Sequence, residues 1–134
     1  NFGNISMSEL NKIMYVEDQP DIQMVAKVAL EAVGGFEVLI CSGGEEALEK
    51  VIAFNPDLIL LDVMMPGMDG PTTQIELGKM PETANIPVIF MTAKIQPTEV
   101  AEYKAMGALD VIPKPFDPMT LSDQIREIWH QHKL

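Results

Sequence analysis

Leu58-Ile59-Leu60-Leu61-Asp62-Val63-Met64-Met65-Pro66-Gly67-Met68-Asp69-Gly70 is the stretch on which the fold turns. Four branched apolar residues in a row read as a buried strand, and the carboxylate of Asp62 closes it where a Pro-Gly turn begins. Three other strand-like runs also end in a reactive side chain: Ile13-Met14-Tyr15-Val16 in Glu17-Asp18, Val88-Ile89-Phe90-Met91 in Thr92, and Val111-Ile112-Pro113 in Lys114. Open α/β sheets bind ligands beyond the carboxyl ends of their strands, so the acids, the hydroxyl and the amine are expected to meet in one crevice.

On either side of that stretch, short apolar strands alternate with helical patterns at intervals of about 20–30 residues, the signature of βαβ units and a parallel sheet. Right-handed crossovers then place helices on both faces. Ile22, Val25, Ala26, Ala29, Leu30 and Val33 recur at helical spacing after the first strand, and Gly34-Gly35 ends the pattern. Phe36 to Cys41 reads as the second strand. A helix over 44–54 is expected to bury Ala47, Leu48, Val51 and Ile52 while Glu45, Glu46, Glu49 and Lys50 face water, with Asn55-Pro56 as its stop. Asp69-Gly70-Pro71 supplies an N-cap and an early-turn proline for a third helix, running towards Met80. A fourth, over 97–106, carries few large apolar residues and is expected to be weakly anchored. The last, from about Asp117-Pro118, is expected to bury Leu121, Ile125, Ile128 and Trp129.

The chain has 134 residues, enough for one domain that buries roughly two-thirds of its unfolded surface. Residues 12–134 read as that domain and residues 1–11 as an N-terminal arm, in which Asn1 to Ser6 are a cloning remnant or a short disordered segment ahead of a native start at Met7. The formal net charge of −11 argues against direct nucleic-acid binding, which needs clustered Lys and Arg. It suits cations or basic partners. Cys41, the single cysteine, ends an apolar strand and reads as a buried, inert thiol in a reducing compartment. No apolar run approaches the ~18 residues that span a bilayer, and no secretory pattern opens the chain. A cytoplasmic protein without membrane contact is the expectation.

Chemistry follows from the company these strand ends keep. Three carboxylates, Glu17, Asp18 and Asp62, within ~4 Å of one another would repel by roughly 4 kcal/mol per pair at an effective dielectric of 20. Such a cluster needs a cation or a raised pKa. Hard oxygen donors without His or Cys favour Mg²⁺, which binds through one or two carboxylates and completes its shell with water and phosphate. Lys114 could neutralise a phosphoryl oxygen or hold Asp62 in line, Thr92 could donate to another oxygen, and Asp62 could be a nucleophile that forms an acyl phosphate.

In this ordered set the chain resembles a receiver domain of the two-component response-regulator family, from about Lys12 to Lys133. The resemblance implies a flavodoxin-like (βα)5 fold, doubly wound, with five parallel strands in the order 2-1-3-4-5. It implies Mg²⁺ held by Asp18 directly, Glu17 through water, Asp62 and the Met64 main-chain carbonyl. It implies Asp62 as phosphoacceptor, Thr92 as switch hydroxyl and Lys114 as the family's lysine, with a cis Lys114-Pro115 peptide. Met64 and Lys94, two positions after the acceptor and the threonine, would tune phosphoryl lifetime. The implied partners are a histidine kinase or histidine phosphotransfer protein and a downstream protein target, with a weak homodimer as a further possibility. Such a domain is not an enzyme in the ordinary sense; it promotes only its own phosphorylation and dephosphorylation. Whether it stands alone or belongs to a longer regulator or hybrid kinase is open.

One position departs from the pattern. Receivers usually carry an aromatic residue three positions before the lysine, and here that position is Val111, which puts the usual threonine-to-aromatic coupling in question; either output runs through the fourth helix and its Lys94-Ile95-Gln96-Pro97 approach, or the switch is shallow. Two other classes compete. A phosphohydrolase with an Asp nucleophile needs a second acid two residues on, where Met64 stands; a pseudo-receiver that binds proteins without phosphorylation typically lacks acids that are intact here. Simpler readings are a turn cap for Asp62, a strand end for Thr92 and a surface position for Lys114. For Asp69 the helix N-cap is the expectation, and His130 and His132 suit a helix C-terminus better than a metal.

Overall fold

The computed structural model describes residues 9–133; the start at Met7 and the preceding segment lie outside them. Five strands form one parallel sheet: β1 (Lys12–Val16), β2 (Glu37–Cys41), β3 (Leu58–Asp62), β4 (Val88–Thr92) and β5 (Asp110–Pro113). Their order is β2-β1-β3-β4-β5, the flavodoxin-like arrangement expected. Tyr15 lies opposite Leu60, Asp62 opposite Met91 and Thr92 opposite Pro113, so every strand points its carboxyl end the same way.

Five helices complete the sandwich: α1 (Pro20–Lys27), which runs on as a π-helical stretch over Val28–Val33, then α2 (Gly44–Phe54), α3 (Gly70–Gly78), α4 (Pro97–Ala105) and α5 (Leu121–Lys133). The two sides of the sheet form separate cores. Ile13, Tyr15, Leu60 and Ile112 pack with Ala26, Ala29 and Leu30 and with Leu121, Ile125 and Trp129 of α5. Met14, Val16, Ile59, Leu61 and Phe90 pack with Ala47 and Val51 of α2 and Leu77 of α3. All five residues of β3 are buried, which is why its sequence has no polar alternation.

Three apolar positions expected inside are not. Val33 is 43% exposed because the widened turn from Val28 onward rotates it off the stripe that holds Ala29 and Leu30. Val25, equally exposed, lies with Ile22 along an open groove bordered by Pro115 and Phe116. Ile52 follows the buried Val51 by one residue, and a helix turns about 100° per residue, so it faces out. Leu48 and Ile128 are partly buried. The last helix starts at Leu121, after a turn in which the Asp117 carboxylate accepts the Met119 N–H at 2.9 Å. α4 buries no residue, as its thin apolar face implied.

The turn after β3 is built around close backbone approach. Asp69 caps α3, its Oδ1 accepting the Thr72 N–H at 2.8 Å. Gly70 donates its N–H to the Val63 carbonyl at 2.9 Å, and a Cβ there would stand 2.4 Å from the Asp62 carbonyl oxygen and 2.9 Å from the Val63 Cα. Both obstacles are backbone atoms of the site itself. Gly70→Ala is therefore expected to lose about 1–3 kcal/mol of stability, read as a lowered denaturation midpoint at unchanged slope; wild-type stability would show that this turn tolerates displacement.

Candidate functional site

Period-two alternation sends Tyr15 and Glu17 to one face of β1, and Leu60 and Asp62 to the same face through their pairing. The carboxylates of Glu17, Asp18 and Asp62 gather at the carboxyl edge, with one oxygen from each within 4.8 Å of the others. Glu17 is fully buried and Asp62 nearly so. Lys114, arriving from the end of β5, places Nζ 2.9 Å from Glu17 Oε1 and 2.9 Å from Asp62 Oδ1. One ammonium thus holds two buried acids that lie 97 and 52 positions away in the chain. The Lys114-Pro115 peptide is cis.

The electrostatics follow from that geometry. Burial is the main cause that lifts the Asp62 carboxyl above its usual range; the hydrogen bond from Lys114 opposes it, and the charges of Glu17 and Asp18 add to the rise. Burial pulls the Lys114 amine down, but its bonds to Asp62 and Glu17 and their charges outweigh this and carry it above its ordinary value. Glu17 Oε2 accepts the Gln19 N–H at 3.1 Å, and the Gln23 side-chain amide donates to the Glu17 carbonyl. Three hard oxygen donors with no nitrogen or sulfur ligand among them are a donor set that Mg²⁺ fits.

Thr92 is buried at the end of β4, and its Oγ1 accepts the Lys94 N–H at 3.1 Å. A shallow cavity joins it to the rest: Gln19, Ile22, Asp62, Met64, Thr92, Ala93 and Lys114 line it. The Met64 side chain is 67% exposed at its rim, and Lys94 is exposed. Val111 lies away from this cavity, partly buried in the second core together with Tyr103 of α4. The Tyr103 ring packs on Phe90, centroids 5.2 Å apart and planes tilted by 59°. An aromatic ring is therefore present beside β5, supplied by α4. His130 and His132 are exposed on α5. Burial raises the Cys41 thiol to about 11.

Sequence reasoning passed over Tyr15. It is fully buried, and its hydroxyl is the one buried side-chain polar atom without a hydrogen-bond partner among the described residues. The signal was available: a phenol inside an otherwise aliphatic strand, two residues before an acid.

Clustered carboxylates, a lysine and a hydroxyl at the carboxyl edge of a 2-1-3-4-5 sheet define the class of signalling receivers. The chain belongs to the response regulator receiver domain family, whose model matches residues 13–126. It is 34% identical over 125 residues to the alkaline phosphatase synthesis transcriptional regulatory protein PhoP of Bacillus subtilis, covering 92% of this chain and 50% of that protein. It is 35% identical over 124 residues to the phosphate regulon transcriptional regulatory protein PhoB of Rhizobium meliloti, covering 92% and 54%. The chain thus spans about half the length of these curated relatives. Among solved structures, the chemotaxis protein CheY4 of Vibrio cholerae superposes with a TM-score of 0.81 at 29% identity, over 90% of this chain and 99% of that one. The N-terminal domain of a response regulator receiver protein from Methanoculleus marisnigri does so with 0.72 at 39%, over 89% and 96%. As a receiver domain of the two-component system, the chain is a signalling domain and not a conventional enzyme. No helix among the described residues is long and apolar enough to cross a membrane.

The raised Asp62 carboxyl has a consequence for stability. A carboxyl whose folded pKa lies above its unfolded value favours the fold fully below the unfolded value of 3.8, and this is lost as pH rises through the folded pKa. At neutral pH without divalent cations the Asp62 charge therefore works against folding. Asp62→Asn is expected to raise the melting temperature at pH 7, with an advantage that shrinks as the pH is lowered towards 4; thermal scans across that range check both parts.

Proposed function

We propose that this receiver accepts a phosphoryl group on Asp62 from a histidine kinase or histidine phosphotransfer protein, with Mg²⁺ bound at Glu17, Asp18, Asp62 and the Met64 carbonyl. The observation that carries this reading is the Lys114 ammonium shared at 2.9 Å by two buried carboxylates of a three-acid cluster. When bound, Mg²⁺ supplies positive charge to the phosphoryl oxygens. An Asp62 carboxylate oxygen attacks the phosphorus of the phosphohistidine, the P–N bond breaks and the imidazole leaves. Lys114 donates to one phosphoryl oxygen and Thr92 to another. Water attack on the acyl phosphate later returns the free carboxylate.

A phosphoryl group adds about −1.5 to −2 charges and can form roughly one to three charge-assisted bonds, each worth ~1.5–3 kcal/mol. Moving a two-state equilibrium from 1:99 to 99:1 takes ~5.5 kcal/mol. Bonds to Thr92 and Lys114 reach that figure only if both form chiefly in the active state. Thr92 pulls on the Lys94 N–H that it already holds, so the exposed segment Lys94-Ile95-Gln96-Pro97 and α4, which buries no residue, are the parts that answer. The changed surface then binds a downstream protein.

We assign residues 12–134 to the receiver unit and residues 1–11 to an arm. The relatives are named as transcriptional regulatory proteins, and any nucleic-acid contact of a longer protein is proposed to run through other segments, because the 134-residue chain carries a net charge of −11. The exposed thioether of Met64 stands where a phosphohydrolase needs a general acid, which favours a switch over an enzyme with turnover. A cytoplasmic location follows from the proposed kinase and phosphotransfer partners.

Incubation with Mg²⁺ and acetyl phosphate is expected to add one labile phosphoryl group to the wild type and none to Asp62→Asn, read by intact-protein mass spectrometry. No adduct on a folded wild type would move the chain to phosphorylation-independent binding. Met64→Asn places an amide that can hold the attacking water beside the phosphoryl group, so it is expected to shorten the phosphoryl lifetime severalfold while leaving phosphorylation intact; an unchanged decay rate would remove Met64 from that role.

A further inference from the structure

Tyr15 lies beneath the acidic cluster, and its place there is costly unless the oxygen is used. The side chain is fully buried and the hydroxyl has no partner, a state in which a phenylalanine would fill the same space with no polar atom to satisfy. A phenol keeps its proton at neutral pH, so the oxygen is a donor. The hydroxyl stands close enough to Glu17 for that carboxylate to act on it as a hydrogen-bond acceptor would, yet the contact falls short of full hydrogen-bond geometry. Both Glu17 oxygens already have a donor there, Oε1 the Lys114 ammonium and Oε2 the Gln19 N–H.

Lys114 cannot keep that bond in every state. Its ammonium lies 2.9 Å from Asp62 as well as from Glu17, and a cation drawn to the three carboxylates repels it while phosphoryl oxygens on Asp62 attract it. Either event pulls Nζ away from Glu17 Oε1 and leaves a buried carboxylate oxygen short of a donor. Gln23 cannot fill the gap, since its amide is engaged with the Glu17 carbonyl and the Ser42 hydroxyl. A buried donor without a partner stands nearby, the Tyr15 hydroxyl on β1, two residues before Glu17.

We propose that Tyr15 is a positioning residue for the cation site: its hydroxyl donates a hydrogen bond to the Glu17 carboxylate when Lys114 moves off it, and so holds Glu17 aimed at the cation. Two donors exchange places on one acceptor. Tyr15 touches neither the cation nor the phosphoryl group; it fixes the carboxylate behind them, as partners of metal ligands do. This rests on the assignment of the three-acid cluster as a Mg²⁺ site made above.

The chain has two tyrosines, Tyr15 and Tyr103, so protein labelled with ¹³C at the tyrosine Cζ gives two signals that Tyr15→Phe assigns. Titration of the wild type with Mg²⁺ is expected to move the Tyr15 signal to the position of a hydrogen-bonded phenol while Tyr103 stays near its starting shift. By calorimetry, Tyr15→Phe is expected to bind Mg²⁺ about ten-fold more weakly, the low end of what losing a partner behind a metal ligand costs. Its metal-free melting temperature is expected to equal or exceed that of the wild type. A wild type that binds Mg²⁺ with no movement of the Tyr15 signal, or a variant that binds it equally well, would overturn the role of Tyr15 and leave the cation site standing. A variant that melts lower without metal and binds Mg²⁺ unchanged would make the hydroxyl an ordinary part of the core. A folded wild type that binds no Mg²⁺ would overturn the site assignment and this inference together.

Discussion

The ammonium of Lys114, shared between the Glu17 and Asp62 carboxylates at 2.9 Å each, is the contact on which the site depends. A parallel sheet in this order aligns the carboxyl ends of β1 and β3, and with them three acids that repel one another. Neither acid can retreat into water, because Glu17 and Asp62 are both buried. The opposing charge comes from the end of β5, on the far side of β4, where the Lys114 N–H is bonded to the Thr92 carbonyl at 2.9 Å. Strand order, turn geometry and electrostatics are thus parts of one arrangement. One cation also leaves the cluster two negative charges to one positive at Glu17, Asp62 and Lys114, with Asp18 adding a third negative, which is the condition under which a divalent ion is attracted.

Much of this was legible from residue order. The alternation of apolar runs with helical patterns showed a parallel sheet, and the reactive side chains at four strand ends showed where its chemistry lies. What escaped has physical reasons. Val33 satisfies the helical period, yet a turn widened to the π form moves it off the buried stripe, and no single residue in Val28–Val33 announces that widening. Ile52 looks like core by type but follows Val51 too closely to share its face. Tyr15 was taken as one more apolar strand residue, since a phenol in a strand is ordinary until its neighbours are known. The convergence of Glu17, Asp18 and Asp62 could be expected, whereas the division of Lys114 between two acids is a matter of distances that residue order does not contain.

The Val111 position shows what a local reading leaves out. No ring stands on β5 at that place, as the residue itself dictates, but Tyr103 lays one against Phe90 from α4 and shares the core with Val111. Phe90 and Thr92 project to the same face of β4, two residues apart. α4 has no fully buried residue, so this ring is a main attachment of the helix to the sheet. A ring that shares the core with Val111 thus comes from α4 and packs on β4, which the residue at position 111 could not show.

The separation of 97 positions between Glu17 and Lys114 also has a bearing on how the chain reaches its fold during synthesis. A nascent chain that has emerged as far as β3 can already pair β1 with β3, and that pairing sets Glu17, Asp18 and Asp62 together with no ammonium among them. Repulsion then opposes the very contact that the apolar residues of the two strands favour. The ammonium that offsets this repulsion arrives only with β5, after the long-range loop through β4 has closed, so the contact is weaker at that stage than in the finished sheet. A divalent cation at the three acids would supply the same opposing charge before the ammonium arrives.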